Sequence, residues 1–442
     1  MGQFLIQFAQ VHESFRLTEL KALSDLIGID EPDFSNYRSE SPFLRIELPS
    51  VEVAARLVER SIICKSVYEL FGYGDSYDNL HENLKRSYPV NYWVDRFKED
   101  SFKFDIVSYL GTRSRAEQVN IINTFKYMAL TGPIKMKNAE HIFAVLEDYK
   151  LLGDTASSPA SSEPYQVFFG KFVAESSRSV VDKYDLKKRK YIGTTSFDAE
   201  LSLLTCNIAQ VTPGKFVYDP FVGTGSFLVA AGHFGGLCYG SDIDVRMIKG
   251  KSKAANIDAN FAQYKTSSRF LDVMTVDFTH NSFRKDFKFD AIICDPPYGV
   301  REGLKVLGSK DPERFKNKEH VMIEGVPAHL RPDYIPPKKP YEFTSLLDDL
   351  LKFSAEHLVE NGRLCFWMPT ANADFTEHDI PHHEDLELLS NSVQEFNKWS
   401  RRLVSYRRRP YGEKGHNYTV GGSAPEEFRD KYFRGFKGIA KK

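Results

Sequence analysis

The chain has 442 residues, 42% of them hydrophobic, enough for two or three units with cores of their own. Its 59 Lys and Arg stand against 60 Asp and Glu, a formal charge of -1 that excludes a uniformly basic nucleic-acid binder. No run approaches the ~18 consecutive apolar residues of a membrane span, and Met1-Gly2-Gln3-Phe4-Leu5-Ile6 lacks a leader's basic region and cleavage site, so a cytoplasmic protein without membrane contact is expected. The five cysteines (Cys64, Cys206, Cys238, Cys294, Cys365) form no C-x-x-C pair, which predicts reduced, mostly buried thiols.

The first ~90 residues alternate short strand-like runs with amphipathic helices: Phe4 to Ala9 then Phe15 to Ile27, Phe43 to Leu48 then Val51 to Ile63, Val67 to Phe71 then Tyr77 to Ser87. A second small unit follows, with a strand at Phe102 to Leu110, a helix at Arg115 to Leu130 stopped by Thr131-Gly132-Pro133, and strands at Ile142 to Tyr149 and Gln166 to Ala174. Gly153 to Pro164 reads as an exposed loop. The domain boundary is placed near residue 180.

From there strands alternate with helices, which predicts a parallel sheet covered on both faces, an α/β doubly wound domain over 181–442. Its strands are read at Phe216 to Asp219, Leu237 to Ser241, Phe270 to Asp277, Phe289 to Cys294 and Arg363 to Met368. Between the last two lies Arg301 to Pro340, a charged, Pro-rich insertion too long for a passive connector, either a substrate lid or disordered.

Strand Phe216 to Asp219 opens into Asp219-Pro220-Phe221-Val222-Gly223-Thr224-Gly225-Ser226 ahead of an apolar helix. Gly223 and Gly225 can take φ > 0 and bring backbone amides to a ligand at the helix N-terminus. A dinucleotide fingerprint needs a third glycine where Leu228 stands, so NAD is disfavoured. About 20 residues on, Asp242 closes the next strand where an acid accepts ribose hydroxyls, while Asp244 reads as a helix N-cap. Asp277 closes a third strand, placed to accept from an adenine amine or to cap a helix. His378, His382 and His383 stand among acids, but Pro381 breaks any shared helical face, and no metal site is expected.

The sharpest signal is Ile292-Ile293-Cys294-Asp295-Pro296-Pro297-Tyr298-Gly299, an apolar strand ending in Asp-Pro-Pro-Tyr. The lone pair of an exocyclic amine is delocalised into its ring, and acceptors are needed to localise it while a methyl group approaches. Asp295 offers one acceptor and the Pro296 carbonyl a second; Pro297 stiffens the turn, and Tyr298 offers a face for a displaced base. A rigid turn closing a strand is the plainer alternative. The last stretch, from Arg401, is basic: Arg401, Arg402, Arg407, Arg408 and Arg409 interleave with Tyr406 and Tyr411, a pattern suited to RNA phosphates or merely to a solvated tail.

Taken together, Asp219 to Gly225, Asp242, Asp277 and Asp295 to Gly299 resemble class I S-adenosylmethionine methyltransferases. Tyr191-Ile192-Gly193-Thr194-Thr195-Ser196-Phe197-Asp198-Ala199-Glu200-Leu201, Val300-Arg301-Glu302-Gly303 and Trp399-Ser400-Arg401-Arg402-Leu403 are similar to segments of the tRNA guanine-N2 methyltransferases that act at position ten. The resemblance implies S-adenosyl-L-methionine as cofactor, held by Thr195, Ser196 and Asp198 together with Asp219, Phe221, Gly223, Gly225, Asp242 and Asp277. It also implies an α+β N-terminal region over 1–180, ferredoxin-like plus a tRNA-binding THUMP module with Gly132-Pro133-Ile134-Lys135-Met136 and His141 to Val145 at its heart, and a small zinc-binding activator subunit as partner. The third strand of such a domain lies at a sheet edge, and Phe270 to Asp277, without Pro, Lys or a bulge signal, invites strand addition by that subunit. Asp-Pro-Pro-Tyr alone leaves open an amino methyltransferase acting on adenine in nucleic acid or on a glutamine amide, and a non-catalytic tRNA-binding protein is the alternative of another class.

Overall fold

The computed structural model describes residues 1–153, 158–300, 304–308, 322–331, 334, 336–373, 375–415 and 426–436. Two units emerge, Met1–Ser179 and Val180–Lys442.

In the first unit the strands are β1 (Gly2–Phe8), β2 (Phe43–Leu48), β3 (Cys64–Gly74), β4 (Phe102–Tyr109), β5 (His141–Asp148) and β6 (Gln166–Glu175). The helices are α1 (Arg16–Ile27), α2 (Val51–Glu59), α3 (Tyr77–Ser87), α4 (Val90–Phe97) and α5 (Arg115–Thr124). The two small units expected here share one sheet, ordered β2-β1-β3-β6-β5-β4, because β3 from the first stretch pairs along β6 from the second. Adjacent residues of β6 face opposite sides: Phe169 joins Phe71, Trp93, Phe125 and Phe143, while Phe168 joins Leu5, Phe43, Tyr68 and Leu146. In the loop before β5, Ile134 and Met136 are exposed, so only the strand part of the THUMP-like segment is core. Helix α4 was not read from the sequence, since eight residues behind Pro89 are too few to show a helical period. It delivers Trp93, fully buried and edge-on to Phe71 with ring centroids 5.1 Å apart.

The second unit begins with α6 (Val180–Tyr184) and α7 (Ala199–Ile208). There follow β7 (Phe216–Asp219), α8 (Ser226–His233), β8 (Leu237–Asp242), α9 (Val245–Lys249), α10 (Ile257–Gln263), β9 (Phe270–Thr275) and β10 (Phe289–Cys294). The expected insertion holds β11 (Lys305–Leu307), a two-residue pair β12 (Met322–Ile323) and β13 (Val326–Pro327), and β14 (Lys338–Pro340), with β11 antiparallel to β14. Residues 301–303, 309–321, 332–333 and 335 of the insertion lie outside the described residues, as do 154–157 of the first unit's expected loop. Last come α11 (Phe343–His357), β15 (Leu358–Ala371), β16 (Leu386–Glu395), β17 (Trp399–Arg408) and α12 (Glu426–Phe433).

The main sheet is ordered β16-β17-β15-β10-β7-β8-β9. From β15 to β9 every pair is parallel, whereas β17 runs antiparallel to both β15 and β16. Strand order therefore reverses at β7, with β8 on one side and β10 on the other. In open α/β sheets of this Rossmann-like kind, ligands bind where that reversal opens a crevice beyond the carboxyl ends of the strands. The five strands expected in a parallel sheet are parallel, and the antiparallel β17 and β16 extend it, so that the run from Arg401 to Arg408 is strand rather than basic tail. Strand β9 does lie at an edge, with Leu271 45% exposed. It ends at Thr275, two residues earlier than expected, and its pairing with β8 shifts register between Cys238 and Tyr239, an irregularity with no signal in the sequence. All five cysteines are buried, and none forms a disulfide.

The Trp93 cluster anchors the first unit, so Trp93→Ala is expected to cost its unfolding transition about 3–5 kcal/mol in a denaturant titration. A loss below about 1 kcal/mol would mean that the six-stranded sheet does not depend on α4.

Candidate active site

Four acidic side chains gather at the carboxyl ends of the parallel strands. Asp219 ends β7, Asp242 ends β8, Asp277 follows β9 and Asp295 follows β10. All four line one cavity of about 810 Å³, a volume suited to a nucleoside-sized ligand and more.

On one side the glycine loop turns back from β7 into α8. Gly223 has φ 49° and Gly225 φ 80°, and a Cβ on Gly225 would stand 3.0 Å from Ile257 Cγ2. Larger residues at Gly225 therefore meet both backbone strain and α10. Asp242 fixes the loop to the next strand, its Oδ2 accepting from Gly223 N at 2.9 Å and its Oδ1 from Asp244 N at 2.8 Å. Burial pushes the Asp242 carboxyl up, against those two backbone donors, and burial does the same to Asp219, which accepts from Phe221 N at 3.0 Å. Asp244 caps α9 through Arg246 N, as its position suggests. Phe221 packs on Phe278, ring centroids 5.3 Å apart.

Asp277 combines both roles read for it. It lines the cavity, and it caps a short turn by accepting from Thr279 N and Oγ1 at 3.0 and 2.9 Å. Its Oδ2 also accepts from Leu307 N at 2.6 Å, tying down β11 of the insertion. Beside it, Lys338 of β14 donates to the Ile243 carbonyl at 3.1 Å. Lys305 and Lys338 thus bring the insertion into the cavity wall, which charge and proline content alone did not specify.

Thr195 and Ser196 also line the cavity, Ser196 Oγ lying 2.7 Å from Thr224 Oγ1. Asp198 is not among the residues that line the cavity, and its carboxylate accepts from Leu201 N at 3.0 Å, capping α7.

Across the cavity, β10 ends in Asp295-Pro296-Pro297-Tyr298, and all four residues contribute to the wall. The Tyr298 hydroxyl donates to Asp295 Oδ1, and its ring stands edge-on to Phe343. Burial pushes Asp295 up to about 6, opposed by the Tyr298 hydrogen bond and by the charge of Arg401. Burial raises the Tyr298 hydroxyl well above the usual phenol range, so it remains a donor.

The arginines expected at RNA phosphates lie on β17 and, for Arg409, just past its end. Arg408 is buried, donating to the Ala355 carbonyl at 2.8 Å with Asp385 3.8 Å away, and is closed to RNA phosphate. Arg407 pairs with Glu387 at 2.5 Å, Arg402 lies 3.4 Å from the centre of the Phe375 ring, and Arg409 packs against Gly415. Arg401 lines the cavity with Trp399, while Phe428 and Tyr432 reach it from α12. None of these four was assigned to the cavity from sequence. The signal available was the apolar and aromatic core Leu403, Val404 and Tyr406 of Trp399 to Arg408, obscured by four arginines that read as a charge run.

Residues 2–178 match the family described as Tmrp11 THUMP N-terminal domain, and residues 187–308 match the RMKL-like methyltransferase domain. Over 99% of this chain and 100% of the relative, the sequence is 49% identical to the tRNA (guanine(10)-N(2))-methyltransferase of Saccharomyces cerevisiae. It is 40% identical to the enzyme of the same name from Schizosaccharomyces pombe, over 98% of this chain and 96% of that one. The Homo sapiens counterpart is 36% identical over 100% of this chain and 97% of its own.

The Tyr298 hydrogen bond favours the ionised Asp295, so its removal in Tyr298→Phe should move the carboxyl's titration midpoint above about 6. Difference infrared spectra across pH, with Asp295→Asn as blank, would show the shift. An unchanged midpoint would mean the hydroxyl has no hold on Asp295.

Proposed function

Because the chain belongs to the tRNA (guanine(10)-N(2))-methyltransferase family, we propose that Asp295 and the Pro296 carbonyl hold the exocyclic amine of guanosine 10 while it is methylated. The chain is an S-adenosylmethionine-dependent enzyme whose substrate is tRNA, with a THUMP domain ahead of a Rossmann-like catalytic domain. Adenine, a glutamine amide and a non-catalytic role give way to that membership. The observation that carries the residue assignment is the opening of the Asp-Pro-Pro-Tyr turn and the glycine loop onto one cavity at the strand reversal.

The cavity fits the cofactor's chemistry: two strand-end carboxylates suit an adenosine, and the negative wall suits a sulfonium. Asp242 would accept from the ribose hydroxyls, and Asp277 would accept from the adenine amine in exchange for Leu307 N. Phe221, Gly223 and Gly225 would line the adenosine, with Asp219 buried beneath the loop and Thr195 and Ser196 toward the methionine end. When bound, the cofactor supplies an electrophilic methyl group that needs no strong base. Asp295 accepts one amine N–H and the Pro296 carbonyl accepts the other, drawing the nitrogen lone pair out of the ring. Asp295, ionised above about pH 6, then holds the proton that the alkylated amine releases. Tyr298 keeps that carboxylate aligned and would offer the base a face to stack on.

The edge strand β9 supports a second element of the reading, a small zinc-binding subunit that adds a strand there. The strand pairs with β8 on one side, and among the described residues nothing pairs with its other side. Such a partner would cover Leu271 and steady the chain leading into Asp277. No helix among the described residues is long and apolar enough to cross a membrane, and the compartment proposed is the cytoplasm.

Asp295→Ala is expected to lower kcat by about 10²-fold or more while the cofactor Kd stays within about threefold, since its partner is the amine. Asp242→Ala should instead raise that Kd by roughly 10- to 100-fold, the cost of hydrogen bonds to a charged acceptor. Isothermal titration and single-turnover kinetics would separate them, and the reverse pattern would undo the assignment. For the partner, the chain alone should be poorly soluble or nearly inactive and recover both properties on co-expression with the small subunit. A lone chain that is monodisperse and fully active on tRNA would remove the case for strand addition.

A further inference from the structure

Asp295 and Pro296 account for one corner of the base, the amine. Every purine bearing a 2-amine would satisfy them equally, so some other group must read the rest of the ring. Among the described residues that line the cavity, Arg401 carries a guanidinium that is unusually well fixed. It lies 4.6 Å from the centre of the Phe197 ring and 5.5 Å from that of Trp367. Its Nε and Nη2 both donate to Gln394 Oε1, at 3.1 and 2.7 Å.

Those two bonds occupy the side-on edge of the guanidinium fork. The end-on edge, made of Nη1 and the second Nη2 hydrogen, makes no hydrogen bond to any described residue, although the side chain is half-buried and lines the cavity. A half-buried arginine held from behind by an amide and from the flank by two aromatic rings presents two parallel N–H donors in a fixed plane. Such a pair matches two adjacent acceptors. On guanine these are O6 and N7, which lie along the ring edge remote from N2; adenine sets an N6 donor beside N7 and would oppose the fork. With the N2 amine directed to Asp295, the O6 and N7 edge is left for another residue of the same cavity wall, and Arg401 lines that wall. The charge of Arg401 also favours the ionised Asp295, so the two residues act in the same sense.

We infer that Arg401 is a specificity-determining residue for the base, donating to O6 and N7 of the guanine whose amine Asp295 holds. This rests on the guanine-N2 reading above and replaces the phosphate contact expected for Arg401 from sequence.

The test uses the full chain, co-purified with the small subunit, and two tRNAs carrying either guanine or 2-aminopurine at position ten. The analogue keeps the 2-amine and N7 but has no O6. The wild-type enzyme should favour guanine in kcat/KM. Arg401→Met should lower kcat/KM on guanine by on the order of 10- to 100-fold, the discrimination typical of a bidentate arginine contact, and change it little on 2-aminopurine. Arg401→Lys keeps the charge and rests on the same rings without the fork, so it should collapse the same ratio while leaving the acid limb of the pH profile in place. Cofactor binding by each variant reports that the fold is intact. If both bases lose activity alike, and the acid limb moves, Arg401 serves Asp295 or packing and the inference is overturned. If the wild-type enzyme binds cofactor but leaves both bases unmethylated, the guanine-N2 reading itself fails.

Discussion

Everything at this site depends on keeping negative charge where water is scarce. Asp219, Asp242 and Asp295 all sit at strand ends in one cavity, and burial pushes each of them up. Carboxylates so placed survive as anions only if donors are supplied to them. The fold supplies them mainly from the backbone: Phe221 N to Asp219, Gly223 N and Asp244 N to Asp242. These same bonds shape the glycine loop, so solvation of the acids and formation of the cofactor cradle are one event. A cationic sulfonium is a natural occupant of such a field, which favours the charged donor over its neutral product.

The parallel core explains why the pieces converge. Asp219, Asp242 and Asp295 are separated by dozens of residues, yet each lies at or just past the carboxyl end of a strand adjacent to β7 or of β7 itself. The reversal of strand order at β7 leaves the crevice in which the adenosine side and the amine side face a common space. Strand β17 of the antiparallel pair then adds Trp399 and Arg401 to the wall.

The sequence made the parallel half legible because its strands are apolar runs closed by acids, as in Phe216 to Asp219 and Phe289 to Cys294, whose bounds agree with the structure. Buried strands carry their own signature. The half that stayed illegible is mixed: Trp399 to Arg408 buries Leu403 to Tyr406 but is flanked on both sides by arginine pairs, which masked the strand. At Asp198 a carboxylate before an apolar helix serves a cap or a ligand equally well, and only the structure shows the Leu201 bond that makes it a cap. The ties of Leu307 to Asp277 and Lys338 to Ile243 reach across 30 and 95 residues and leave no local trace.

The position of β17 also bears on how the protein is made. In space it lies between β15 and β16, but in chain order it comes after both. During synthesis, then, β15, whose Leu364, Cys365, Phe366, Trp367 and Met368 are wholly buried in the finished fold, emerges as an uncovered strand edge and stays so until about forty further residues have left the ribosome. At typical elongation speeds of roughly 5–20 residues per second that interval lasts seconds, long compared with the collapse of the preceding parallel strands. The nascent enzyme passes through a stage in which the cofactor cradle is assembled while an apolar strand lies open beside it. The demand for chaperones therefore falls late in translation, on β15, while the residues between Ala371 and Trp399 are being made.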